Sequence, residues 1–167
     1  MDIFDIIKTR RSIRKFTEEP VSDKVIDRII EAGTWAPSGL NNQPWKFAVI
    51  RDRDIKNSIA GLTHYGRIVR SAHALIAVFL DTGESYDRTK DAQAVGACIQ
   101  NMLLSIHALG LGAVWLGEIL KNKENVRVLV SDSPDLELMA VIALGHGAAE
   151  GGKVTRKGLD QTVIFRK

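Results

Sequence analysis

The sequence predicts an α+β fold, a mixed α/β sheet flanked by helices, and three observations carry that expectation. Short, continuously apolar runs recur along the chain, and one long segment is apolar in almost every helical direction. Helices and strands also fail to alternate regularly, as they would in a doubly wound fold. At 167 residues and 45% hydrophobic, the chain is long enough for one proper core and short for two, so one domain over 1–167 is expected.

The first element is a helix from Ile3 to Thr9, where Ile3, Ile6 and Ile7 fall on one side and Asp2, Asp5 and Lys8 elsewhere. It ends at a run of arginines. A second helix opens after Ser22, a good N-cap, keeps the helical period through Val25, Ile26, Ile29, Ile30 and Gly33, and stops before Pro37. Trp45 to Ile50, Ala74 to Leu80 and Leu138 to Leu144 read as strands buried on both faces, with a short helix between the first two. A fourth strand, Ala113 to Leu116, follows the turn Gly110-Leu111-Gly112.

Before that turn lies the long helix, Asp91 to Leu109, interrupted only by polar residues such as Gln93, Gln100, Asn101, Ser105 and His107. A helix apolar nearly all round has to be covered on nearly all sides, and a second copy of the chain would supply the cover. Asn122 to Leu129 forms a shorter helix, and Gly147 to Gly152 is a flexible connection to a basic tail.

Composition removes several classes of function. No stretch approaches the roughly 20 apolar residues of a membrane-spanning helix, and the start Met1-Asp2-Ile3-Phe4-Asp5 is acidic where a secretion signal is basic, so a cytoplasmic protein is expected. Cys98 is the one cysteine, which excludes an intrachain disulfide, an iron–sulfur cluster and a Cys-rich zinc site; redox chemistry would need a bound organic cofactor. His64, His73, His107 and His146 stand far apart, and no metal site is expected. The net charge of +3 comes from 23 basic residues interleaved with 20 acidic ones, without an aromatic-basic tract, so no nucleic-acid partner is expected. An anionic small ligand explains the excess equally well. Neither G-x-G-x-x-G after a strand nor G-x-x-x-x-G-K-[ST] occurs.

Three stretches carry potential chemistry. Thr9-Arg10-Arg11-Ser12-Ile13-Arg14-Lys15-Phe16 places four cations in six positions around a hydroxyl, which suits a phosphate monoester; it also suits a solvated helix end, where cations offset the helix dipole. Ala36-Pro37-Ser38-Gly39-Leu40-Asn41-Asn42-Gln43-Pro44-Trp45 is dense in turn residues and equally dense in donors for a planar, heteroatom-edged ring. In Leu109-Gly110-Leu111-Gly112-Ala113-Val114-Trp115-Leu116-Gly117-Glu118, glycines flank a strand, either as helix stop and strand end or as points where backbone N–H groups approach a ligand. Cys98, on the apolar helix, reads as core and not as a nucleophile.

In this order, together with Leu144-Gly145 and the later Arg156-Lys157, these stretches resemble the nitroreductase family of FMN-dependent enzymes over nearly the whole chain. The resemblance implies an intertwined homodimer with a long central helix and FMN at the interface. It implies that Arg10, Ser12 and either Arg156 or Lys157 hold the FMN phosphate, with Arg11 less certain. Arg14 would sit near the N1/C2=O edge of the ring, where a fixed cation stabilises the negative charge of the reduced flavin. Pro37, Ser38, Gly39 and Asn42 would reach the flavin from the other subunit, and backbone groups of Leu116 and Gly117 would meet its N5/O4 side.

The implied activity is ping-pong transfer: NAD(P)H gives hydride to flavin N5 and leaves, and a nitro compound, quinone or similar small-molecule acceptor takes its place. No catalytic side chain is expected. The segment 61–72 is short beside larger members, which predicts a small, open pocket, and Arg67 or Arg70 is a further candidate cation for the ribityl chain or phosphate. A flavin-storing protein, or a specialised member of reductive-dehalogenase or flavin-fragmenting type, is the alternative.

Overall fold

The computed structural model describes residues 2–167, and Met1, the first residue of the acidic start, lies outside the described residues. The elements run α1 (Ile3–Thr9), α2 (Asp23–Thr34), β1 (Trp45–Ile50), α3 (Arg53–Gly61), α4 (Gly66–Ser71), β2 (Ala74–Asp81), α5 (Arg88–Ala108), β3 (Gly112–Leu116), α6 (Lys123–Val128), β4 (Leu136–Gly145) and α7 (Leu159–Thr162). The strands form one sheet in the order β1-β2-β4-β3, and each neighbouring pair is antiparallel. A single bridge from Ser12 to Ala113 adds a parallel contact beside β3. The expected α+β architecture is present, and the mixing of strand directions is confined to that bridge.

The central strands β2 and β4 are apolar almost throughout because both faces of the sheet are covered there. Contrary to expectation, the edge strand β1 is not buried on both faces: it carries the exposed Lys46 and leaves Val49 44% exposed. Along β2, Ile76, Val78 and Leu80 pack with Ile26 and Ile29 of α2 and with Val95, Ile99 and Met102 of α5. The alternate residues Leu75, Ala77 and Phe79 pack with Ile59 of α3, Val69 of α4 and Val126 of α6. Side chains alternate across a strand, so a sheet with helices on both sides needs an apolar residue at every position. A register shift between Val78 and Phe79 in the pairing of β2 with β4 lets the two cores persist past a bulge.

Helix α5 begins three residues before the apolar period does, because Asp87 caps it and accepts from the backbone N–H groups of Thr89 and Lys90. It crosses α2 closely at Gly33, where an added Cβ would meet Met102 Cγ at 2.7 Å. Cys98 lies in the same contact region, and burial pushes its thiol up to about 12. One chain covers α5 more fully than its composition predicted: Asp91, Ala94, Val95, Cys98, Ile99, Met102, Leu103 and Ile106 are buried. What remains partly uncovered is a stripe through Ala97, Asn101 and Leu104. Helix α1 buries no residue, and Phe4 is 67% exposed.

Candidate functional site

The arginine run leaves α1 in extended conformation, with φ −54° and ψ 130° at Arg10. It then lies along β3: the Ile13 N–H donates to the Ala113 carbonyl at 2.9 Å, and Ser12 bridges to Ala113. Extended backbone sends successive side chains to opposite sides. Ile13 goes to the protein side and occupies the space over Gly112, where an added Cβ would come within 2.7 Å of it. Arg11 turns back to α1, donating to the carbonyls of Lys8 at 2.7 Å and Arg10 at 2.9 Å, and its stem packs against Gly151. The alternation therefore groups Arg10, Ser12 and Arg14 on the other side. Arg14 is exposed, and its one hydrogen bond among the described residues is a long one of 3.5 Å to the Ser12 carbonyl.

Arg10 is half-buried, and its pKa is lowered by burial first, then by the charges of Arg156 and Arg11. Of the two tail cations, Arg156 is thus the one whose charge reaches Arg10. His107, at the end of α5, joins the same corner: its Nε2 lies 2.8 Å from Thr9 Oγ1, and burial, Arg10 and Arg11 hold its pKa down. Cations crowded without a carboxylate among the charges that shift them make a place that favours an incoming anion.

The loop after α2 is held in a costly shape. Leu40, Asn41 and Gln43 adopt φ of 55°, 55° and 48°, a left-handed region that Leu in particular avoids. The Ser38 hydroxyl accepts from the Gln43 N–H at 3.0 Å, and the Asn42 amide donates to Asp91 at 2.8 Å and to the Glu84 carbonyl at 3.0 Å. Asn42 Oδ1 is buried and, among the described residues, has no hydrogen-bond partner. Pro37, Ser38 and Gly39 wall a cavity of about 320 Å³ together with Tyr86, Lys90 and Gln93. Gly39 lets Tyr86 lie against the loop, since the tyrosine hydroxyl would be 1.7 Å from an added Cβ.

Leu116 is buried at the end of β3, and the exposed Gly117 has open space where a Cβ would project. The next residue anchors this end. Glu118 accepts from the Thr63 hydroxyl at 2.6 Å and the His64 N–H at 3.2 Å and pairs with Lys121. Hydrogen bonding from Lys121, then from Thr63, pulls its pKa down to about 2.

Within one chain, the corner at Arg10 and the cavity at Pro37–Gly39 have no lining residue in common. Arg70 lines a separate surface depression with Phe16, Lys56 and His73, away from both. Sequence reasoning missed Asp91, Tyr86, Lys90 and His107. The cap pattern at Asp87 would have brought Lys90 and Asp91 into the first turn of α5; for the contact of Tyr86 with Gly39 and of His107 with Thr9, which join residues distant in the chain, no local signal existed.

A two-faced antiparallel sheet with a cationic segment bridged to one edge and a strained turn beside its longest helix defines an α+β protein with a cofactor-sized set of clefts. The chain belongs to the nitroreductase family: the model described as "Nitroreductase family" matches residues 7–64 and 61–146. A Methanothermobacter thermautotrophicus protein provisionally named NADH dehydrogenase/NAD(P)H nitroreductase is 36% identical over 154 residues, covering 91% of this chain and 81% of that one. A Desulfovibrio desulfuricans protein provisionally assigned as a nitroreductase, crystallised in complex with FMN, shares 47% identity at a TM-score of 0.94, over 100% of this chain and 98% of that one. An iodotyrosine deiodinase from Nematostella vectensis is 26% identical over 198 residues, 99% of this chain and 75% of its own length. Among the described residues, no helix is long and apolar enough to cross a membrane.

Proposed function

We propose that residues 1–167 form one FMN-binding domain that carries reducing equivalents from NAD(P)H to nitro compounds, quinones or similar small acceptors, donor and acceptor using the same cleft in turn. The observation that carries this reading is the cationic corner at the edge of β3, where Arg10, Arg11 and His107 line one depression within reach of the charge of Arg156, positive charge that a phosphate dianion would relieve. The 47% identical relative with bound FMN supplies the identity of the anion.

The residues present fit such a cofactor. Arg10 and Ser12 would hold the phosphate with Arg156, and Lys157 is the neighbouring tail cation. Arg11, committed to the carbonyls of Lys8 and Arg10, would contribute charge and no direct fork. Arg14, on the same side as Arg10, would lie along the ring edge that becomes negative. Asn42 has spent its N–H groups, so its buried Oδ1 is left to accept a ring N–H. Gly117, with nothing projecting, would let its backbone and that of Leu116 approach the ring. When bound, FMN supplies two-electron redox chemistry; the protein's part is position, electrostatics and access.

A homodimer completes the proposal, with Pro37, Ser38, Gly39 and Asn42 facing the partner's cofactor. Supporting it are the exposed apolar face of α1 at Ile3, Phe4 and Ile7, and a tail that is almost wholly exposed even at Ile164 and Phe165. Strand β1 is an edge strand beside a cleft of about 650 Å³ lined by Phe47, Val49 and Val130, a place for such a segment.

The test is direct. The purified protein should be a yellow dimer, and anaerobic NADH or NADPH should bleach its flavin band. A colourless protein that ignores added FMN would sink the flavin reading, and a yellow protein that neither donor bleaches would indicate storage.

A further inference from the structure

We propose that Lys90 and Tyr86 make the acceptor site selective for a compact, anionic substrate, with the Lys90 ammonium meeting its carboxylate or sulfonate; this rests on the flavin-site reading above. The cleft walled by Pro37, Ser38 and Gly39, the residues that would face the partner's cofactor, is about 320 Å³, at the small end of ligand clefts, which suits a compact acceptor. Among the described residues that line it, Lys90 alone is charged.

Helix stability does not account for a lysine at this position. Lys90 is in the first turn of α5, where the helix dipole favours negative charge and disfavours an ammonium. Its nearest carboxylate oxygen, Asp87 Oδ2, is 4.0 Å away, and the other oxygen of Asp87 is already engaged as the helix cap. The ammonium lies 5.2 Å from the centre of the Tyr86 ring, on the wall of the cavity. Tyr86 stands beside Gly39: its backbone N–H donates to Asp91 at 3.0 Å, and its hydroxyl lies over Gly39. The ring thus lies beside a charge that is only weakly compensated, on the wall of the cleft. A cation so placed speeds and orients an anionic ligand more than a neutral one of the same shape.

The experiment compares 4-nitrobenzoate with 4-nitrobenzamide, acceptors alike in size and different in charge. For the FMN-loaded protein, the ratio of kcat/KM for the benzoate to that for the benzamide is expected to fall about five- to tenfold in Lys90→Gln, to fall further in Lys90→Glu, and to return in Lys90→Arg. Equilibrium dialysis of the two probes gives a readout apart from turnover, and preferential binding of the benzoate should be lost in Lys90→Gln. An unchanged ratio in protein that holds a full complement of FMN overturns the proposal and leaves the flavin reading intact. An effect confined to the KM of NADH or NADPH overturns it too, assigning the lysine to the donor's phosphates. If no FMN binds, the flavin reading fails; dialysis against the FMN-free protein still decides, since equal binding of both probes overturns the preference for the anion.

Discussion

Asp91 accepts the side-chain amide of Asn42 at 2.8 Å and so ties the strained loop after α2 to the first turn of α5. The same carboxylate takes the Ser85 hydroxyl at 2.7 Å and the N–H groups of Tyr86 and Asp87 at 3.0 and 3.2 Å. It is fully buried, and it is the reason the two walls of the cavity keep their spacing.

Replacing Asp91 by Ala leaves these donors unsatisfied in the interior, and a loss of about 3 kcal/mol is expected in urea unfolding. Burial alone would raise the Asp91 pKa, but hydrogen bonds from Ser85, Asn42, Asp87 and Tyr86 outweigh it and hold the group below its ordinary value. An acid whose folded pKa is depressed gives stability that is present above its unfolded pKa and lost as pH falls through the folded one. Wild type should therefore lose stability in acid faster than Asp91→Asn, and parallel acid profiles would refute this role.

Much of this was legible in the chain and some was not, for separable reasons. Trp45 to Ile50 was readable as a strand from its apolar residues, but the expected burial on both faces is met only at Trp45 and Ile50, because β1 is an edge strand with Lys46 paired to Asp81 and Val49 44% exposed. Strand β4 extends past its apolar stretch to Leu136 because Glu137 is paired with Arg88 and Lys123, a stabilisation that pattern cannot display. The loop from Pro37 to Asn42 was legible as a turn, but the left-handed Leu40 inside it was not, since leucine carries no turn signal. The division of labour between Arg10 and Arg11 depends on an extended segment pairing with β3, which is a tertiary fact.

Gly39 and Tyr86 should be coupled. Gly39→Ala forces the Tyr86 ring aside, because its hydroxyl occupies the place of the new methyl. The ring is 43% exposed and can swing out, so the cost should be modest, about 1 kcal/mol. In a Tyr86→Ala background the same substitution should cost almost nothing, and a double-mutant cycle that closes with no coupling would contradict the contact.

Stability should decline as pH is lowered from about 7.5 to about 5.5, through the histidines. Burial first, then Arg10 and Arg11, lower the pKa of His107; burial first, then Arg51, lower that of His73, with Lys56 and His146 adding to it against a bond to Val21. When the folded pKa lies below the unfolded one, the unfolded state takes up protons first, and folding weakens as pH falls through the unfolded value near 6.5. Melting temperatures of wild type and of His73→Gln/His107→Gln across that interval check this. The double variant should show the flatter profile.

Arg10→Ala separates binding from stability. Removing a charge-assisted phosphate contact should weaken FMN binding by about 1.5–3 kcal/mol, roughly 10- to 150-fold in Kd. The FMN-free protein should meanwhile be no less stable, because the substitution removes a charge whose pKa is depressed first by burial and then by repulsion from Arg156 and Arg11. A purely structural arginine would behave in the opposite way, lowering the melting temperature of the FMN-free protein and leaving affinity for FMN in the folded protein unchanged. Titration with FMN followed by absorbance, beside thermal melts taken with and without it, distinguishes the two outcomes. Arg156→Ala should repeat the pattern of Arg10→Ala, and Lys157→Ala should show it weakly, since it is Arg156 whose charge reaches Arg10.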